Sequence, residues 1–322
     1  MRATQIEINW HPGLSIYASE SFLKAVGDEY GWIGGIDDSG KLRCILPYTV
    51  IRKALIRMVR FRVETIPLEE DLEMEEEKLF LNSAVEHFRS MGADMIIPAT
   101  TNTIFKTYPD GAVAAPYGTY IIDLTQPEET LWNNLNSSHR RKLRLAIKQG
   151  IEVKSGMQYL DTAYELIRDT FKRSALGFMN FEAFKRYTFG LNENVKVFIA
   201  DHQGVPQGCV VVPFSNYRAY YVYGGSIPEP VTGATNLIHW EAIRYFRNLG
   251  VKSYDFVGVR INPEEGSKQE GLMQYKQRFG GRLVKGYIWK YSLQPLKYAV
   301  YSLALRYLRG GDIVDQERNK LT

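Results

Sequence analysis

The segment from Gln274 to Gly281 sets Lys276 beside Tyr275, with Phe279 three residues on, and closes on the glycine pair Gly280-Gly281. An ammonium held in such a place could balance negative charge developing on a carbonyl or phosphoryl oxygen. Tyr275 and Phe279 offer it a cation–π face, about 0.5–2 kcal/mol, that would fix an otherwise loose cation. Paired glycines mark a turn or a close backbone approach. Upstream, Asp255 stands between Tyr254 and Phe256 in a strand pattern, so its side chain points the opposite way from theirs. A carboxylate at a strand end in a cleft can orient an amine. It can equally cap a turn or pair with an arginine, and the residues alone leave both open.

Two more stretches carry chemistry. Tyr220 to Phe246 begins as a tyrosine-rich strand with Tyr223, ends at Gly224-Gly225, and passes a proline loop and Gly233 before a long helix. Free backbone N–H groups and a helix N-terminus there would favour an anion, and a plain loop is the other reading. Arg140, Arg144 and Lys148 recur every four residues along one helix stripe, broadened by Arg141 and Lys142. Such a stripe suits phosphates of a nucleotide, a lipid head group or RNA, or is simply a solvated face.

Other chemistries lack their residues. No phosphate loop, strand-linked G-x-G-x-x-G or nucleophile elbow occurs. The five histidines are scattered without ligand spacing, so no metal site is expected. The chain has 322 residues and is 45% hydrophobic, enough for two folded domains. A net charge of +4 is too small to mark a dedicated nucleic-acid binder. Two cysteines give no disulfide framework, which fits a reducing cytosol. The first residues show no secretion signal, and no apolar run reaches a membrane-spanning length. A cytoplasmic location is therefore expected.

The elements that must position these residues occur twice. Residues 36–48 and 199–214 each give a strand, a polar turn with glycine and a second strand. Residues 87–99 and 245–259 each give a helix end, a glycine and a strand. Gly40 and Gly204 are 164 positions apart, and Gly92 and Gly250 are 158 apart, which suggests one α/β unit repeated. Helices are predicted near 19–30, 76–91, 159–175, 181–189, 234–249 and 296–309. Thr125 and Glu128 have capping-box spacing and predict one helix through about Lys148. Strands are predicted at 32–37, 41–51, 94–98, 119–124, 195–200, 208–214, 218–224, 253–258 and 282–292. The expected class is α/β (α+β), a mixed sheet with helices on both faces, made twice.

Three segments, the "YVYGGS" of 221–226, "WEAIRYFRNLGVKSYDFVGV" and "GLMQYKQRFGG", together resemble the C-terminal half of the Fem family. These are non-ribosomal peptidyltransferases that add amino acids to peptidoglycan precursors. "LWNNLNSSHRRKLRLAIKQGIEV" is similar to the entry into that family's second domain, and the likeness covers residues 120–292. It implies two tandem GNAT-like domains, residues 1–125 (completed by the C-terminal helix 295–322) and 126–294. It implies acyl transfer from aminoacyl-tRNA to an amine of a cell-wall precursor, with no tightly bound cofactor. It places Lys276 in the active site and matches Lys24 to a lysine that contacts substrate diphosphate. Positions that hold the nucleotide in members acting on soluble precursors fall on Met179 and Ala183, which speaks against a UDP-linked acceptor. The catalytic candidates are thus Lys276 and Asp255. The substrate-binding candidates are Lys24, Tyr223, Gly224, Gly225, Tyr275, Arg140, Arg144 and Lys148. An acyl-CoA-dependent N-acyltransferase acting on a sugar is the alternative, although "PVTGAT" matches the acetyl-CoA loop poorly. A non-catalytic RNA- or anion-binding protein is a third reading.

The last predicted helix carries Leu296, Val300, Leu303 and Tyr307 on one stripe, with Lys297, Arg306 and Arg309. The stripe is expected to pack back onto the first domain and join the halves. Contact with a membrane surface is expected to be weak.

Overall fold

The protein is described here by a computed structural model covering residues 1–320 apart from Thr101 and the Arg309 side chain; residues 321–322 of the predicted C-terminal extension lie outside the described residues. The first half runs β1 (Arg2–Ile6), α1 (Glu20–Val26), β2 (Glu29–Ile36), β3 (Leu42–Lys53), β4 (Ile56–Phe61), β5 (Ile66–Pro67), α2 (Met74–Ser90), β6 (Met95–Ile96) and β7 (Val113–Asp123). The β2–β3 hairpin turns where the Asp37 carboxylate accepts from the N–H groups of Ser39 (2.9 Å) and Lys41 (3.0 Å), with Gly40 at φ +84°. Helix α2 starts where Glu76 accepts from the Glu73 N–H at 2.9 Å. Its apolar face, Phe80, Leu81, Ala84, Val85 and Phe88, is buried against the sheet. It returns the chain to β6, which pairs in parallel with β4.

The second half repeats this order. After α3 (Glu128–Asn134) and α4 (Ser137–Lys148) come β8 (Glu152–Ser155), α5 (Leu160–Arg173), α6 (Phe181–Phe189), β9 (Val195–His202) and β10 (Val205–Pro213). Then follow β11 (Ala219–Tyr220), β12 (Tyr223–Ser226), α7 (Ala234–Asn248), β13 (Ser253–Asp255), α8 (Lys268–Gln277) and β14 (Arg282–Ser292). As β4 and β6 flank α2, β11 and β13 flank α7 and pair in parallel. β12 continues past β11 but pairs with β10, so the strand line splits there into two sheets.

Each half's last strand is exchanged. β14 of the second half lies between β6 and β7 of the first, and β7 lies between β14 and β13. β7 and β14 pair from Val113↔Lys290 to Ile121↔Arg282. One sheet therefore crosses the molecule in the order β1-β2-β3-β4-β6-β14-β7-β13-β11, and the smaller one runs β12-β10-β9-β8. A shared core, with Ile16, Phe22 and Val63 from one half and Ile167, Phe184 and Val211 from the other, seals the halves together. The expected fold, two GNAT-like units each with mixed strands flanked by helices, is what the chain adopts.

Local expectations fail in three places. Pro127, not Thr125, precedes α3, because the Thr125 hydroxyl donates to Asp123 at 2.7 Å. The single helix expected to Lys148 breaks at Leu135-Asn136, and the Asn136 side chain caps α4 by accepting from the Ser138 N–H. Helix α9 (Pro295–Arg309), followed by α10 (Ile313–Arg318), does lie on the first half. It packs there through Tyr298 and Tyr301 onto Met58, Met95 and Ile97, while the Leu296, Val300, Leu303, Tyr307 stripe faces solvent. The two rings sit on the opposite face of the helix and fill the space beside β4 and β6.

Across the junction, half-buried Arg218 donates to Glu64 of the first half at 2.7 Å and to Asp255 of the second at 3.5 Å. Removing one partner of such a cluster leaves charge buried without compensation. Arg218→Met is expected to lower the urea unfolding free energy by about 3–5 kcal/mol. A loss below about 1 kcal/mol, the range of exposed pairs, would show that the cluster does not hold the halves together.

Candidate active site

Lys276 occupies the last turn of α8, a helix begun by the Ser267 hydroxyl accepting from the Glu270 N–H at 3.2 Å. Its Nζ donates to the backbone carbonyls of Val257 and Gly258, the latter at 2.8 Å. Both residues have left-handed backbone, φ +41° and +38°. For a β-branched residue such as Val257 that conformation is strained and persists only where surroundings impose it. Asp255 imposes it. Its carboxylate accepts from the Val257 N–H at 2.8 Å and from the Thr119 hydroxyl, and the residue is 1% exposed.

The electrostatics follow from burial. Desolvation pulls the Lys276 ammonium down to about 8, and the nearby Asp255 carboxylate opposes that shift. Desolvation raises Asp255, with Arg218, Thr119 and the Val257 N–H opposing. His239, also within reach of the Lys276 charge, is lowered by burial to about 3 and stays neutral. Its Nδ1 lies 3.1 Å from the Tyr254 hydroxyl.

Two cavities flank this centre. One, of ≈ 240 Å³, is lined by Thr170, Gly224, Gly225, Thr235, His239 and Tyr275 among others, between the split strands and α7. The other, of ≈ 210 Å³, lies at the junction of the halves and is lined by Glu64, Glu77, Lys106, Thr119, Arg218 and Asp255 among others. Lys276 itself lines neither cavity: its chain neighbour Tyr275 lines the first, and the Val257 and Gly258 carbonyls that hold its Nζ follow Asp255 of the second.

The predicted residues divide accordingly. Tyr275, Gly224 and Gly225 line the first cavity, Asp255 lines the second, and Lys276 is tied to the turn that follows Asp255. A Cβ at Gly224 would fall 2.2 Å from the Tyr221 hydroxyl, and one at Gly225 2.4 Å from the Leu166 backbone. These glycines therefore admit neighbouring groups. Gly280 does the same for the Asn134 carbonyl, 2.5 Å from a built Cβ, so its close approach is to backbone. The expected cation–π seat is not used: Tyr275 and Phe279, four apart on one face, pack on each other at 5.3 Å, while Lys276 is turned about 100° away. Tyr223 faces the junction core against Phe178, Phe184 and Tyr187 instead of the cavity. Lys24 is exposed on α1, paired with Glu20 at 2.9 Å, and lines neither cavity. Arg140 spends its guanidinium on the Asn133 and Leu135 carbonyls that end α3. Arg144 lies over Trp132 at 5.8 Å, and Arg144 and Lys148 remain on the surface. The N-terminus of α7 does not open as an anion seat, because Gly233 abuts the Lys142 carbonyl of α4.

Glu64, Thr119, Arg218 and His239 belong to the site and were not anticipated. Glu64 and Arg218 are 154 positions apart and Thr119 and Asp255 are 136 apart, so no local spacing announces them. Among the described residues no cluster of three or more His, Cys, Asp or Glu could hold a metal.

Part of the chain is similar to known proteins. Residues 193–306 match the FemAB family model. The resemblance to the Fem family is thereby shown for the segment that carries Lys276. A lipid II:glycine glycyltransferase of Staphylococcus haemolyticus is 26% identical over 131 residues, 40% of this chain and 31% of that protein. One of Staphylococcus saprophyticus is 29% identical over 91 residues, 28% of this chain and 22% of that protein. The chain thus matches about a third or less of these relatives' length. The crystal structure of FemX superposes with TM-score 0.66 at 16% identity, covering 93% of this chain and 99% of that one, which shows the fold.

Because Lys276 is lowered to about 8, it is charged below that pH and neutral above it. A lysine whose folded value lies below its unfolded one destabilises the fold at low pH, and that cost fades as pH rises through the window from about 8 to 10.5. In ¹³C-lysine NMR one Cε resonance is expected to titrate near about 8. In Asp255→Asn it should titrate lower, since the carboxylate supports the ammonium. A midpoint near that of free lysine would refute the buried setting.

Proposed function

We propose that this protein is an aminoacyltransferase of the Fem type, forming an amide on an amine of a peptidoglycan precursor, with aminoacyl-tRNA as donor. The observation that carries the reading is Lys276, a half-buried lysine in the family-matched segment whose Nζ is held by the Val257 and Gly258 carbonyls, next to Asp255 of the junction cavity. The two curated relatives, named for glycine transfer to lipid II, support the acceptor class.

In this reading the donor's aminoacyl ester enters the ≈ 240 Å³ cavity, and the acceptor amine arrives from the acidic junction cavity. The amine nitrogen attacks the ester carbonyl carbon, a C–N bond forms, and the carbonyl oxygen becomes an oxyanion. Lys276 stabilises that oxygen electrostatically, a contribution of about 3 kcal/mol for one good donor. The C–O bond to the terminal ribose then breaks, and the amine's proton goes to the leaving oxygen. Asp255 acts chiefly as a positioning residue: it holds the Val257–Gly258 backbone that seats Lys276. Glu64, whose Oε2 is buried with no hydrogen-bond partner, faces the incoming amine.

Lys276→Ala is expected to lower kcat about a hundredfold with glycyl-tRNA and a muropeptide amine, with folding intact by circular dichroism. The wild-type rate should fall as pH rises through about 8, because the charged form is the active one. Lys276→Arg should move that limb upward. Activity within about twofold of wild type in Lys276→Ala would end the proposed role, since a lost oxyanion donor costs far more. Undiminished transfer from acyl-CoA after ribonuclease treatment would replace tRNA as donor.

Arg144 and Lys148 supply the surface for RNA phosphates on α4. Arg144→Gln/Lys148→Gln is expected to weaken tRNA binding and flatten its salt dependence by about 0.7 in log–log slope per lost contact. An unchanged slope would return α4 to an ordinary solvated face.

A further inference from the structure

One surface has no part in the reaction above. Leu296, Val300, Leu303, Tyr307 and Leu308 of α9 are 68–91% exposed, and Leu55 in the β3–β4 turn is 85% exposed. Large apolar side chains grouped in this way mark an interaction site. Turn and helix form one face, because Lys297 Nζ donates both to the Leu55 carbonyl and to Asp94, each at 2.9 Å. The helix is anchored from behind by Tyr298 and Tyr301, so its outer stripe is presented on a rigid support.

We infer that α9 and the β3–β4 turn form a docking face for an anionic phospholipid surface. The charges decide the occupant. α9 contains no Asp or Glu; Lys297 is taken up by Asp94, and Arg306 on α9 and Lys53 at the end of β3 are exposed beside the apolar stripe. A second copy seated on this face would bring those cations against their own equivalents. Anionic head groups neutralise them while the acyl boundary takes the leucines, the arrangement of an interfacial amphipathic helix. At 15 residues α9 is about 22 Å long, shorter than a hydrocarbon core of about 30 Å, so it lies on the surface and does not cross. This inference goes beyond the transfer reaction, and its test reads binding without activity.

The full chain is mixed with vesicles of phosphatidylcholine alone and of equal parts phosphatidylcholine and phosphatidylglycerol, then floated. It is expected to float with the phosphatidylglycerol vesicles and less so as salt rises. Leu296→Ser/Val300→Ser/Leu303→Ser/Tyr307→Ser should lose flotation by about tenfold or more with a nearly unchanged melting curve, since these side chains are mostly exposed. Lys53→Gln/Arg306→Gln should lose the preference for anionic vesicles. Leu303→Cys gives a second, gain-of-signal readout: Cys44 and Cys209 are buried, so a polarity-sensitive thiol dye reports position 303 and should shift when vesicles are added. No flotation and no dye shift would overturn the inference. So would flotation untouched by the fourfold variant, or a concentration-dependent dimer that the variant abolishes without any vesicle binding.

Discussion

The buried carboxylate of Asp255 is the constraint on which the rest turns. One oxygen accepts from Thr119 and from the Val257 N–H, and the other faces Arg218, which reaches on to Glu64. A charge so deeply buried is tolerable only when several donors compensate it. Those donors come from β7, from the strained turn after β13, and from the residue before β11. The same atom group therefore fastens the halves and holds the two carbonyls that seat Lys276. Stability and the seat of Lys276 are coupled here, because relaxing the Val257 backbone would release both the strain and the lysine.

Strand exchange makes that convergence possible. With β14 placed between β6 and β7, the segment just before it, α8 with Lys276, is carried to the middle of the long sheet. The first half has a matching place. Phe105-Lys106 precedes β7 as Tyr275-Lys276 precedes β14. There Lys106 Nζ donates to the Leu72 carbonyl at 2.6 Å and pairs with Asp71 at 2.7 Å, and the Lys106 N–H meets the buried Glu77 carboxylate at 2.8 Å. Lys106 is thus neutralised by a carboxylate, whereas Lys276 meets only carbonyl oxygens directly. The corresponding place thus holds a tie in one half and an available cation in the other.

What could be read from the sequence was what local spacing encodes. The paired glycines at 40 and 204, and at 92 and 250, do mark equivalent turns, all four with positive φ. Lys276 stood out because its helix, its aromatic neighbours and its glycines are contiguous. Four features were not legible. Val257 carries no sign of its backbone strain, since a valine in a strand pattern predicts the opposite conformation. Glu64 and Arg218 meet only after the halves fold together. The break at Leu135-Asn136 depends on a side-chain cap competing with a helix that propensity alone would continue. The outward stripe of α9 has the spacing of a packed face, and only the tyrosines opposite it show which side the core chose.

Tyr298 and Tyr301 have apolar rings and polar tips, so they can cover Met58, Met95 and Ile97 at the domain edge without stranding a polar atom. The leucine stripe would have served an apolar core better by area alone. A helix that turns its more apolar side to solvent is held there by something other than burial. Lys297 supplies part of it, since its bonds to Asp94 and to the Leu55 carbonyl fix the helix's rotation at its N-terminal end. Rotating the leucines inward would break both contacts and leave the Asp94 carboxylate, itself buried and tied to the Arg57 N–H at 2.7 Å, with one fewer donor. The same rule seen at Asp255 operates at this edge: a buried carboxylate fixes the cation that meets it, and the cation fixes which surface the chain offers outward.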